Sequence, residues 1–277
     1  MAGRFYPSDP EELARQIDEF VAVPGAGGAP KVAGRGCVVP HAGYMYSGRV
    51  AGAVYASMEI PSRCILLGPR HYPRGESLAI LTEGGFSTPF GVAPIDSALA
   101  QQLAHAFPRL RDDAVAHETE HSLEVQIPFL QRLSKDFQFV PVVLGTDRYG
   151  VLEELGKALA EVVAAEREKV LIVASSDMNH YESDAITRAK DERAVRCILA
   201  LDPQGLYDTV RRESISMCGY AATVAMLVAV RQLKKMAPGT SGLTGDASEP
   251  LLVSYATSGD VSGDRDRVVG YAGIVIP

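Results

Sequence analysis

Cysteine is scarce and never paired. The four residues, at positions 37, 64, 197 and 218, form no Cys-x-x-Cys motif. That argues against a disulfide framework in a chain of this size and for a reducing, cytoplasmic setting. Positive charge is short as well: 27 Lys and Arg stand against 34 Asp and Glu, a formal net charge of −7. A phosphate-tracking surface needs the opposite balance, so no nucleic-acid partner is expected. The one basic cluster, Arg231 with Lys234 and Lys235, reads as a helix C-terminus, where cations favour the helix dipole. Long apolar runs are missing too. The longest, 220–230, includes Thr223 and is too short to span a bilayer, so no membrane partner is expected. The first residues, Met1-Ala2-Gly3-Arg4, lack the layout of a signal peptide. Tryptophan is absent, in a composition otherwise ordinary for a globular protein at 47% hydrophobic and 22% charged.

What the chain does contain is a series of short apolar runs separated by helical periodicity. Strands are expected at 36–39, 64–67, 78–81, 137–144, 170–174, 251–256 and 268–276. Helices are expected at 8–21, where Ser8 and Glu11 have capping-box spacing, and at 47–58, 96–107, 121–133, 152–165, 183–201, 203–212 and 218–233. Leu13, Ile17 and Phe20 mark the inner face of the first, and Leu99, Leu103 and Ala106 that of the third. Pro128 implies a kink in the 121–133 helix or a later start. Residues 86–95 read as a loop or a hairpin edge, and 24–30 and 237–249 as loops. The alternation implies an α/β sandwich: a central, mostly parallel or mixed sheet flanked by helices, with an antiparallel edge near the end. With 277 residues, no internal repeat and no separating linker, a single domain over 1–277 is expected.

Three of the six histidines follow buried strands. His41 stands after Val38-Val39-Pro40, His71 after Gly68-Pro69-Arg70, and His180 after Ser175-Ser176-Asp177-Met178-Asn179. Residues just beyond the carboxyl ends of strands in an α/β sheet face a crevice. His41 and His71 can converge there on one transition-metal ion, for which neutral imidazole is the commonest protein ligand, or each can bond a loop. Cys218 sits at a helix start, where the dipole favours thiolate and suits it to metal binding or nucleophilic attack; a small buried residue is the plainer alternative. Cys37, Cys64 and Cys197 read as core. Asp177 can complete a two-histidine, one-carboxylate site, orient a histidine, or bind turn amides. His121, in Glu120-His121-Ser122-Leu123-Glu124, is a candidate acid or base in the same crevice. His105 and His117 carry no assigned role.

Together these stretches resemble the Memo-like proteins. The matching segments are Ala2-Gly3-Arg4-Phe5-Tyr6-Pro7, Pro40-His41-Ala42-Gly43-Tyr44-Met45-Tyr46-Ser47-Gly48, Gly68-Pro69-Arg70-His71, Glu120-His121-Ser122-Leu123-Glu124, Ser175-Ser176-Asp177-Met178-Asn179-His180, Cys218-Gly219 and Tyr255-Ala256-Thr257-Ser258-Gly259-Asp260-Val261. The resemblance implies a fold similar to the class III extradiol ring-cleaving dioxygenases. It implies an iron or copper ion (zinc is a third option) held by His41, His71 and Cys218, with His121, His180 and Asp177 as catalytic groups beside it. Phe5, Tyr6, Tyr44 and Tyr46 are assigned to ligand binding. Animal members of the family are described as docking phosphorylated peptides in this pocket, so a non-enzymatic module that binds a phosphorylated or acidic peptide is the alternative to a redox enzyme. Phe5-Tyr6 here replaces a Trp-Tyr pair of the animal proteins, which weakens that alternative. Thiolate in place of a carboxylate ligand favours copper(I) or zinc and is itself open to oxidation, so ring cleavage does not follow from the fold.

Overall fold

The structure, a computed structural model, describes residues 1–22, 31–236 and 249–277. The loop expected at 24–30 lies outside the described residues, as does all but Glu249 of the loop expected at 237–249. The first half of the chain runs α1 (Pro10–Val21), β1 (Gly36–Val39), α2 (Tyr44–Ala56), β2 (Arg63–Pro69), β3 (Leu78–Ile80), β4 (Gly85–Thr88), β5 (Gly91–Pro94), α3 (Ser97–Ala106) and β6 (Arg111–Asp112). A 3-10 turn at Glu124–Gln126 then leads into α4 (Ile127–Leu133), β7 (Gln138–Leu144), α5 (Tyr149–Ala165), β8 (Val170–Ser175) and β9 (His180–Glu182). The remainder is α6 (Asp184–Leu199), α7 (Pro203–Arg212), α8 (Tyr220–Met236), β10 (Leu251–Thr257), the short α9 (Gly259–Ser262) and β11 (Val268–Ile276).

The main sheet is mixed, in the order β10-β11-β1-β8-β2-β7-β3-β6, with β9 paired to β11. Its centre, β1-β8-β2-β7, is parallel. β11 lies antiparallel to β1, and β10 to β11, which is the antiparallel edge expected near the end of the chain. β4 and β5 form a separate hairpin.

Strand alternation splits the core into two layers. Val38, Ile65, Leu67, Val140, Val142, Ile172 and Ala174 face α3, α5, α6, α7 and α8. Cys37, Val39, Cys64, Leu66, Phe139, Leu171 and Val173 face α1, α2 and α4. Both faces are covered, so the central strands read as continuous apolar runs. Cys37 and Cys64 are fully buried, as expected. Among the described residues no helix is long and apolar enough to cross a membrane.

Several local expectations need correction. α1 is capped by Asp9, which accepts the Glu12 amide at 2.8 Å, rather than by Ser8. α2 begins at Tyr44, three residues before Ser47, whose hydroxyl donates back to the Ala42 carbonyl at 2.9 Å. Of the two options for Pro128 the later start holds: α4 begins at Ile127, not His121, and Pro128 stands in its first turn, where its missing N–H costs nothing. Ala106 is exposed rather than inward.

One buried carboxyl carries a pH signature. Asp191 accepts the Tyr255 hydroxyl at 2.6 Å and the Asn179 amide at 2.9 Å, and burial pushes its pKa up to about 6. A carboxyl raised in the folded state contributes stability that is full below its unfolded pKa, near 3.9, and lost as pH rises through 6. The difference is about 3 kcal/mol. Asp191→Asn, an uncharged near-isostere, should therefore gain up to about that much relative to wild type between pH 4 and 7. Urea unfolding across that range reads it directly.

Candidate functional site

His41, His71 and Asp177 each stand two residues beyond the last residue of β1, β2 and β8. These strands are parallel neighbours, so the three side chains arrive at one end of the sheet. The loop before the 3-10 turn brings His121 to the same place. Its approach depends on Gly68: a Cβ there would sit 2.6 Å from Ser122 Oγ. Gly219 does the same for Cys218, since a Cβ on it would lie 2.2 Å from the Ser175 carbonyl oxygen. β11 starts at this end, and β9 pairs with it through His180 opposite Val269.

The result is a cavity of about 600 Å³ lined by Phe5, His41, Ala42, Gly43, His71, His121, Asp177, His180, Tyr181, Ser216, Cys218, Val269 and Tyr271. Within it, donor nitrogens of His41, His71 and His121 all lie within 4.8 Å of one another. The His71 and His121 rings are stacked with centroids 4.5 Å apart. His41 stands edge-on to both, at 5.3 and 5.5 Å. Phe5 covers the outer face of His121 at 4.5 Å.

Glu120 is the buried carboxylate of the cluster. It accepts the His71 amide at 2.6 Å, His71 Nδ1 at 2.8 Å and the Ser122 amide at 2.9 Å. Burial raises its pKa, but the bonds to His71 and the Ser122 amide prevail and hold it at about 2. A carboxylate only accepts, so His71 Nδ1 carries the proton and its Nε2 is left with a lone pair. His121 Nδ1 is 3.6 Å from the same carboxylate, and it is buried without a hydrogen-bond partner. Burial, reinforced by the charge that neighbouring imidazoles would carry, lowers His41 to about 3 and His121 to about 4. Both rings are neutral at neutral pH, the state a metal requires.

Those lowered values predict acid sensitivity. A histidine depressed in the folded state contributes stability that is full above its unfolded pKa, near 6.5, and lost as pH falls toward its folded value. For His121 the interval from 6.5 to about 4 corresponds to about 3 kcal/mol. The metal-free protein should lose stability steeply between pH 6.5 and 4, and His121→Asn should flatten that loss by about 3 kcal/mol. Chemical denaturation across the interval checks both.

Cys218 lies just before α8, as expected, with Sγ 3.2 Å from His41 Nε2 and 3.7 Å from the Asp177 carbonyl oxygen. The expected lowering of its pKa is not what the surroundings produce. Burial and the neighbouring Asp177 carboxylate push the thiol up, overriding the bonds that would lower it. Asp177 itself is buried and pushed up by burial, while its Oδ1 accepts the amides of His41 at 2.8 Å and Ala42 at 3.3 Å. It anchors the turn that carries His41. His180 donates its amide to Ser216 Oγ at 2.7 Å, and its Nδ1 contacts the Ser216 carbonyl oxygen at 2.8 Å. A carbonyl can only accept, so Nδ1 is protonated and Nε2 is free to act as a base.

The four aromatic candidates all line a groove of about 370 Å³ that adjoins the cavity, and only Phe5 reaches the cavity as well. Tyr6 and Tyr44 are largely buried, their hydroxyls donating to Glu124 at 2.6 Å and to the Val125 carbonyl at 2.8 Å, and they form the inner wall of that groove. Tyr46 lines it beside Arg4, Gln16 and Met45, and the groove shares Phe5 and Gly43 with the cavity. Sequence reasoning missed Glu120, for which an acid beside a histidine was the available signal. It also missed Tyr181, held in left-handed backbone at φ 62° on the cavity wall, and Tyr271, neither of which carries a local signal.

Comparison with known proteins agrees over nearly the whole length. The Memo-like protein family matches residues 1–275. A MEMO1 family protein of Methanopyrus kandleri is 40% identical over 285 residues, covering 99% of this chain and 96% of its own length. One from Aquifex aeolicus is 37% identical over 276 residues, covering 99% and 97%. A crystal structure of an uncharacterized protein from Escherichia coli K12 superimposes with a TM-score of 0.55 over 87% of this chain and 99% of its own, at 13% identity, a likeness of fold alone.

Proposed function

This chain belongs to the Memo-like protein family, and on that footing we propose that it is a metal-binding protein, redox-active through one iron or copper ion. The carrying observation is the convergence of three imidazoles whose donor nitrogens lie within 4.8 Å, one of them with a buried nitrogen that no protein group satisfies. His41, His71 and His121 would hold the ion, and Cys218, against His41, would be a further donor as the family pattern implies. Imidazole suits iron, copper and zinc alike, and a thiolate beside it tilts the preference toward copper(I) or zinc. A bound iron or copper ion supplies one-electron chemistry that no side chain here offers.

The chain's own residues divide the remaining work. His180 Nε2 takes or returns a proton at the cavity wall. Phe5, Val269 and Tyr271 shape the space and limit water. Cys218, held as a thiol when the ion is absent, would release its proton on ligation, making metal uptake at that position pH-dependent.

Anaerobic purification followed by elemental mass spectrometry tests the reading. Wild type should retain iron or copper, and His41→Ala, His71→Ala and Cys218→Ser should lose it. Unchanged metal content in all three variants would sink the proposal. Retention of zinc alone would remove its redox part.

A second reading, docking of a phosphorylated or acidic peptide, has one observation in its favour: the adjoining groove carries Arg4. Arg70 and Arg74 are committed elsewhere. Arg70 donates to the Arg74 and Gly75 carbonyls, and Arg74 pairs with Glu118. Saturable phosphotyrosine binding that Arg4→Ala abolishes would support this reading, and an absence of binding would retire it.

A further inference from the structure

We infer that Gln126 and Ser175 are positioning residues that set the tautomer of His41, so that its Nε2 lone pair faces the metal cavity. The inference rests on the metal-binding reading for its purpose, and on hydrogen-bond directions for its content.

Two backbone carbonyls beside His41 can only accept. The Pro40 carbonyl contacts Gln126 Nε2 at 2.9 Å, and the Ser122 carbonyl contacts Ser175 Oγ at 2.6 Å. The first contact fixes the Gln126 amide with its NH₂ toward Pro40, because the flipped amide would set two carbonyl oxygens against each other. Tyr55, fully buried on α2, completes the match by donating its hydroxyl to Gln126 Oε1 at 2.8 Å. The amide's second N–H then donates to Ser175 Oγ at 2.9 Å.

Ser175 has a single hydroxyl proton, and the Ser122 carbonyl takes it. Its lone pairs receive Gln126 and, at 2.9 Å, His41 Nδ1. His41 Nδ1 must therefore be the donor: a bare Nδ1 would face an oxygen with no proton left to give. The proton sits on Nδ1, and Nε2, the nitrogen beside Cys218, holds the lone pair. Gln126, Ser175 and Tyr55 are fully buried, so water does not compete for these bonds. Glu120 imposes the same tautomer on His71 with a carboxylate. His41 is instead served by a neutral chain that reaches from α2 through the 3-10 turn to the end of β8. A neutral acceptor adds no charge beside Asp177, and outer partners of this kind orient metal ligands.

Two measurements on the full chain test it. Long-range ¹H–¹⁵N correlation spectra of the metal-free protein read the tautomer of His41 directly. Zinc titration with a competing chelator reads its consequence. Wild type should show the Nδ1–H form. Ser175→Ala, and Gln126→Met, which frees Ser175 Oγ to turn its proton toward His41 Nδ1, should move His41 toward Nε2–H and weaken zinc binding by about 10–100-fold. Ser175→Thr, which keeps the hydroxyl, should restore the wild-type tautomer. An Nε2–H His41 in wild type overturns the inference, as does an unchanged tautomer and affinity in both disrupting variants. A wild type that binds neither zinc, iron nor copper defeats the metal reading instead, and the spectra still decide the tautomer.

Discussion

Glu120→Ala is expected to weaken metal binding by about 10–100-fold, the usual cost of deleting the partner that orients a ligand, and to destabilise the metal-free fold as well. Glu120 receives three N–H groups, two from His71 and one from Ser122, and its side chain is almost entirely buried. Removing it leaves the buried Ser122 amide unsatisfied, at about 1–3 kcal/mol, and strips the more exposed His71 donors of their partner. The two effects separate in Glu120→Gln, which keeps the volume. Whichever way the new amide points, its NH₂ opposes an N–H it cannot accept, and with the NH₂ toward Nδ1 it favours the wrong tautomer of His71. Affinity should therefore fall in the glutamine variant even where most stability survives. Equal affinity in wild type and Glu120→Gln would mean that the amide oxygen still holds His71 Nδ1 as the donor, and equal affinity in Glu120→Ala would mean that Glu120 does not orient a metal ligand.

Arg63→Ala is expected to destabilise the protein by about 3–5 kcal/mol, the cost of breaking a buried ion pair from one side. Arg63 Nε meets Asp96 Oδ2 at 2.6 Å, and its Nη1 pairs with Glu166. Both Arg63 and Asp96 are buried, and burial of the pair leaves little room for water to replace the guanidinium. Asp96 also caps α3 by accepting the Leu99 amide, and Glu166 follows the last turn of α5, so one arginine at the start of β2 ties two helices to the sheet. Urea unfolding with an unchanged slope would register the loss as stability rather than compactness. Adding Asp96→Asn, which can keep the cap and removes one stranded charge, should recover part of it.

The fold was legible where the physics is local. β1, β2, β7 and β8 are apolar because both faces are covered, and each is bounded by residues that stop a strand, so their order of appearance in the chain could be read directly. β6 and β9 could not be. They are two and three residues long and exist because β3 and β11 offer an edge, a fact no window of sequence contains. Helix starts were misjudged where two capping residues compete, as at Ser8 and Asp9, or where a serine bonds backward into a turn, as at Ser47. The site followed the same division. His41 and His71 could be placed at one sheet end from the strand pattern alone. That His121 stacks on His71 depends on a loop from elsewhere in the chain, admitted by Gly68. Cys218 was correctly placed near a helix start, but the expected thiolate ignored the depth of burial and Asp177, which only the assembled fold supplies. Gln126 and Ser175 look like ordinary polar residues until their partners are known.

The central claim is that His41, His71 and His121 surround one ion. Crystals grown anaerobically and loaded with iron(II) or copper(I) test it most directly through an anomalous difference map collected at the metal edge. The account predicts a single strong peak within bonding distance of a nitrogen from each of the three rings, lost in His71→Ala crystals treated alike. A cavity without a peak, or a peak coordinated elsewhere on the chain, would contradict it.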